Sequence, residues 1–171
     1  EKMVIDTTVN YHNIVNEPVT EDSVLRNMIE SEERYNLFSA AGKKSGNISS
    51  FIFFSPLRGP ITNRFNFQSH HFGIDIVAPK NEVIKATLDG TVVFAGWTSE
   101  TGYVIQLQHD NNLISIYKHN SVLHKEIGEH VKAGEVIAII GNSWELSTGP
   151  HLHFELWYNG IPLNPQDYMI F

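Results

Sequence analysis

Eight apolar runs of strand length, most of them closed by turn-forming residues, constrain what most of this chain can become. They occupy residues 51–54, 74–77, 82–86, 91–97, 103–108, 113–117, 136–140 and 152–157. Asp89-Gly90, Asp110-Asn111-Asn112, Gly141-Asn142 and Asn159-Gly160 separate them, residue types that accept the left-handed conformations of tight turns. Runs this short offer a helix no continuous apolar stripe, and a succession of them can be buried only by pairing edge to edge. The expectation is a mainly β, antiparallel sandwich or barrel-like core from residue 51 onward.

The first fifty residues have a different texture. Residues 20–38 are acidic and amphipathic, with Val24, Met28 and Tyr35 at helical spacing. Thr20 suits an N-cap, and Glu21 and Asp22 suit the positive end of the helix dipole. Residues 40–50 are rich in Gly, Ser and Lys and read as a linker. This divides the chain into a helix and linker at 1–50, acting as a spacer or a groove screen, and a β domain at 51–171. The start at Glu1-Lys2-Met3 carries no leader pattern and reads as a mature or trimmed segment, with an upstream anchor left open.

Composition narrows the chemistry. A net charge of −7 speaks against a nucleic-acid partner and gives no help on an anionic membrane surface. No apolar run is long enough to span a bilayer, so no membrane contact is expected within this segment. Cysteine is absent, which excludes disulfide scaffolds, thiol nucleophiles and thiolate metal sites.

Histidine supplies the chemistry instead. In His151-Leu152-His153-Phe154-Glu155-Leu156, strand alternation puts His151, His153 and Glu155 on one face and the apolar residues on the other. Burial of the apolar face holds both imidazoles rigidly. In His70-His71-Phe72-Gly73-Ile74-Asp75, a fully extended chain would leave His71 and Asp75 roughly 13 Å apart. A shared ion therefore requires a bend, which Gly73 would permit. His70 is a rival ligand, better suited to the rim. On the run ending Tyr117-Lys118-His119, alternation puts Ser115, Tyr117 and His119 on one face and Ile114, Ile116 and Lys118 on the other.

Taken together, His71, Asp75 and His153 form a two-histidine, one-carboxylate set. That is the usual make-up of a catalytic zinc site, which leaves one position for a water whose pKa falls toward about 7. His119 and His151 would flank it, one accepting the water's proton and the other donating to a developing oxyanion. The same donor set also forms the facial triad of non-haem iron oxygenases, but two additional histidines favour hydrolysis.

Residues 60–168 resemble the lysostaphin-like, or LytM-type, family of zinc endopeptidases. The resemblance rests on His71-x-x-x-Asp75, Tyr117-x-His119 and Thr148-Gly149-Pro150-His151-Leu152-His153-Phe154-Glu155, with Asn164-Pro165-Gln166-Asp167-Tyr168 at the close. It implies one zinc ion on His71, Asp75 and His153, with His151 as general base and His119 stabilising the tetrahedral transition state. It also implies an open groove, a peptidoglycan peptide as substrate and the bacterial cell envelope as location. Degenerate members act as non-catalytic modules that bind the wall or activate another hydrolase; here all five positions are present. Asn81-Glu82, Asn120 and Asn63-Arg64-Phe65-Asn66 depart from the family pattern and bear on groove shape, not on the metal set.

Overall fold

The computed structural model describes residues 48–141 and 149–171. The expected helix at 20–38, most of the expected linker, Asn142 and Thr148 lie outside the described residues. Within them the strands are β1 (Ile61–Asn63), β2 (Gly73–Val77), β3 (Val83–Lys85), β4 (Gly90–Thr98) and β5 (Gly102–Gln108). β6 (Leu113–Leu123), β7 (His130–Val131), β8 (Val136–Ile140), β9 (His151–Tyr158) and β10 (Ile161–Leu163) follow.

All ten strands join one antiparallel sheet, with the main path β1-β2-β9-β6-β5-β4-β7. β10 extends from β9, while β8 carries β3 and pairs with the far half of β6. β6 is the long element that makes this branching work. Residues 113–118 pair with β9, and residues 120–123 pair with β8. The sheet thus surrounds a common core that includes Ile74, Ile84, Leu107, Tyr117, Ile137, Leu152 and Phe154. Full burial of each such aliphatic or aromatic side chain contributes about 1.5–3 kcal/mol. A smaller cluster of Phe72, Val104, Ile114, Ile116 and Trp157 packs separately.

Residues 51–54 do not form the expected strand. Their alternation is right, because Phe51 and Phe53 pack against the core while Ile52 and Phe54 are exposed. Among the described residues, its backbone nevertheless bonds a distant segment only at Phe54, which exchanges hydrogen bonds with Thr87. It is an apolar strap across the core, without a ladder. At the Asn159-Gly160 turn both residues have positive φ, 50° and 75°, as the two-residue hairpin between β9 and β10 requires.

A polar chain lies buried in this apolar interior. His109 Nδ1 donates to the Asp89 carbonyl at 2.8 Å, and its Nε2 lies 2.7 Å from the Ser115 hydroxyl. Ser115 continues to the Tyr117 hydroxyl at 2.9 Å, which accepts the Thr87 N–H. Burial pushes the His109 pKa down to about 4. The folded chain therefore refuses a proton that the unfolded chain binds near 6.5. Stability holds above pH 6.5 and falls as the pH drops toward 4, by roughly 3 kcal/mol from this group. Denaturant titrations of metal-free protein at pH 7 and 4.5 should show His109→Gln losing less stability than the parent over that interval.

Candidate metal centre and its histidine pair

β9 lies between β2 and β6, and the register aligns the site in one row. Asp75 pairs with His153 across one edge, and Lys118 pairs with His153 across the other. Leu152, Phe154 and Leu156 point into the core, so alternation turns His151, His153 and Glu155 to the opposite face. That face was legible in the sequence.

His71, Asp75 and His153 come together with their donor atoms all within 4.8 Å of one another. His153 Nδ1 is 2.7 Å from Asp75 Oδ1, and His71 Nε2 is 3.4 Å from Asp75 Oδ2. The outer nitrogens are fixed by acceptors that cannot donate. His71 Nδ1 is 2.8 Å from the Arg64 carbonyl, and His153 Nε2 is 2.9 Å from Glu155 Oε1. Each outer nitrogen therefore carries a proton; His71 Nε2 turns its lone pair inward, and His153 Nδ1, which donates to Asp75 Oδ1 here, would present a lone pair to a metal once that proton is displaced. His71 Nε2 is buried and has no hydrogen-bond partner among the described residues. Two imidazole nitrogens and a carboxylate, with one nitrogen orphaned, fit a zinc ion.

Burial opposes ionisation of Asp75, but the hydrogen bond from His153, together with the nearby His71 imidazole, overrides it and holds the carboxyl far below its usual range. At His153 burial works against protonation, and the contacts with Asp75 and Glu155 outweigh it, so its pKa is raised. His70 stands apart: it is exposed, at positive φ, with its ring edge against Phe72. It belongs to the rim.

Two expectations need correction. Gly73 does not supply a bend, because it is already the first residue of β2 and pairs with Glu155. It is required by close approach. A Cβ there would stand 2.5 Å from the Phe154 carbonyl oxygen and 2.8 Å from His153 Nε2. Gly73→Ala should lower stability by about 1–3 kcal/mol and weaken zinc binding, measured by thermal melting and chelator competition.

The second concerns β6. Ser115 and Tyr117 face the core network, and the site face carries Ile114, Ile116 and Lys118. Strict alternation would place His119 with Tyr117, away from the site. A bulge changes this: Tyr103 and Ile105 on β5 oppose Asn120 and Tyr117, so β6 holds one extra residue. His119 sits in that bulge at φ 66°. Lys118 and His119 consequently share a face although adjacent in sequence.

The His119 ring centroid lies 4.8 Å from that of His151 and 6.1 Å from that of His153. His119 Nδ1 donates to the Thr101 carbonyl at 3.0 Å, and His151 Nδ1 donates to Gly149 at 3.3 Å. Both rings thus leave Nε2 without a hydrogen bond among the described residues. Burial, reinforced by the neighbouring His153 and His151, pushes the His119 pKa down to about 4. Asn120 braces the bulge, its amide donating to the Tyr103 and Tyr117 carbonyls at 2.8 Å each. Sequence reading noted Asn120 and Arg64 only as departures bearing on groove shape and did not name Thr101; Arg64 and Thr101 act through backbone carbonyls, to which any residue type could contribute.

The model of peptidase family M23 matches residues 69–165. Among named relatives, the DD-carboxypeptidase/endopeptidase Mpg of Neisseria meningitidis is 35% identical over 61% of this chain and 26% of its own. The murein hydrolase activator NlpD of Escherichia coli is 37% identical over 67% of this chain and 30% of its own. This chain therefore spans under a third of either relative. The catalytic domain of the antimicrobial peptidase lysostaphin from Staphylococcus simulans superposes with a TM-score of 0.53 at 27% identity, covering 67% of this chain and 88% of that one.

Proposed function

The chain belongs to peptidase family M23, and from that premise we propose that it is a zinc-dependent endopeptidase acting on the stem or cross-link peptides of bacterial peptidoglycan. The observation that carries this reading is the inward-facing donor set of His71 Nε2, Asp75 and His153 Nδ1, flanked by two histidines whose Nε2 atoms have no hydrogen bond among the described residues. One zinc ion held by those three residues would polarise a peptide carbonyl and lower the pKa of a water toward about 7.

In this reading the protein's own groups move the protons. His151 accepts a proton at Nε2, its ring steadied by the Gly149 carbonyl. His119, anchored by Thr101, faces the carbonyl oxygen of the scissile bond. Donation to that oxygen needs a proton on Nε2, and the negative charge developing beside it favours protonation. With the rings 4.8 Å apart, a charge on one disfavours a charge on the other, so the pair works with a single extra proton that can pass to the leaving amine. The net charge of −7 argues against a nucleic-acid substrate. The envelope is the location where a peptidoglycan substrate is met, and among the described residues no helix is long and apolar enough to cross a membrane.

The likeness to a murein hydrolase activator supports a second reading, a module that binds the wall or switches on another hydrolase. Digestion of purified peptidoglycan by zinc-loaded protein, with fragments identified by mass spectrometry, separates the two. New amino termini that vanish on chelation establish the endopeptidase and identify its bond. Their absence across several wall types favours the activator.

A further inference from the structure

Behind the histidines lies an ion pair that the reaction above does not use. Lys118 Nζ is 2.8 Å from Glu155 Oε1, with the two side chains 4% and 1% exposed. The same oxygen accepts His153 Nε2–H at 2.9 Å, and Oε2 accepts Trp157 Nε1–H at 2.7 Å. Both charges have left water. Such a pair is weak evidence for stability, since well-packed apolar residues in its place are often as stable or more so. Here the surroundings are apolar already: Ile114, Ile116, Phe72 and Trp157 form the adjacent cluster.

Two local features surround it. The bulge in β6 puts Lys118 and His119 on one face, so Lys118 reaches Glu155 while its neighbour reaches His151. The absence of a side chain at Gly73 leaves room for the Glu155 stem, whose Cγ lies 2.9 Å from where a Cβ would be.

We propose that Lys118 and Glu155 are positioning residues for His153. Lys118 supplies the counter-charge that keeps an acceptor-only carboxylate in the apolar wall. Glu155 then fixes the His153 ring plane and holds its proton on Nε2, so that Nδ1 faces Asp75 and His71. This rests on the zinc reading above and deepens it: the middle residue of Tyr117-Lys118-His119 ties the metal half of the site to the histidine pair.

The test uses Glu155→Gln and the double variant Lys118→Met with Glu155→Gln, which removes both charges together. A glutamine cannot accept from both His153 and Trp157, because one end of its amide only donates. Glu135→Gln, which breaks the exposed Lys125–Glu135 pair, serves as control. Each protein is melted without metal, then titrated with Zn²⁺ against a chelator and with Co²⁺ by visible absorption. We expect zinc affinity about 10- to 100-fold weaker in both site variants, with a shifted cobalt spectrum, and no change in the control. Parental affinity and spectrum in either site variant overturn the positioning role. Failure of the parent chain itself to take up zinc overturns the metal reading and this proposal with it, so the two failures are distinct.

Discussion

Replacing His153 by alanine should abolish zinc uptake and reduce peptidoglycan hydrolysis more than about 10³-fold. The magnitude follows from the several kcal/mol of charge stabilisation that a catalytic metal supplies, at 1.36 kcal/mol per tenfold in rate. His153 contacts Asp75 through one nitrogen and Glu155 through the other, and lies in register with Asp75 and Lys118. Its loss leaves Asp75 without its shortest hydrogen bond and Glu155 with Lys118 and Trp157 alone. Thermal melting with and without zinc gives a readout that needs no substrate. Zinc at 100 times its Kd should stabilise the parent by about 2.7 kcal/mol and leave His153→Ala unmoved. An equal zinc-induced shift in both would remove His153 from the ligand set.

Alanine at His151 or His119 should lower kcat about 10²- to 10⁴-fold while leaving zinc affinity within a few-fold of the parent. The separation of the two effects is the informative part, because neither ring belongs to the inward-facing donor set. The pH dependence carries a sign. Burial and the neighbouring histidines hold His119 neutral down to a pKa of about 4, so acidification toward that value adds a proton only against strong opposition. A base acting through a neutral imidazole loses activity as the pH falls through the histidine range. With His151 as that base, the parent should show an acid limb in kcat/KM that is absent from the residual activity of His151→Ala. A flat profile from pH 5 to 8 in the parent would contradict proton acceptance by His151 and point instead to His119, whose acid limb would fall only near pH 4.

Much of the architecture was legible because strands announce themselves by length and alternation. In β9 the alternation of Leu152, Phe154 and Leu156 with His151, His153 and Glu155 fixed both the core face and the site face. Residues 51–54 alternate as well and still form no strand, since a strand needs a neighbouring edge and their partners end at Thr87. β1, β7 and β10 escaped notice because two or three residues carry no readable period. Gly73 was correctly singled out as a glycine that mattered, for the wrong reason. Conformational freedom is a local property that a sequence suggests, whereas crowding by Phe154 and His153 comes from a strand eighty residues away.

By itself the sequence determined the antiparallel β class, because residue type and short-range period decide it, and it suggested the donor set, whose members meet only through the pairing of β2 with β9. The position of His119 was decided only by the tertiary structure. Its own strand pattern points it toward Tyr117 and the core. One extra residue, imposed where β6 passes from β9 to β8, turns it toward His151. A bulge of this kind is set by the competing registers of the neighbouring strands, and those registers exist only once the sheet has assembled. The same assembly brings Lys118 against Glu155, a contact between residues thirty-seven apart that no local pattern contains.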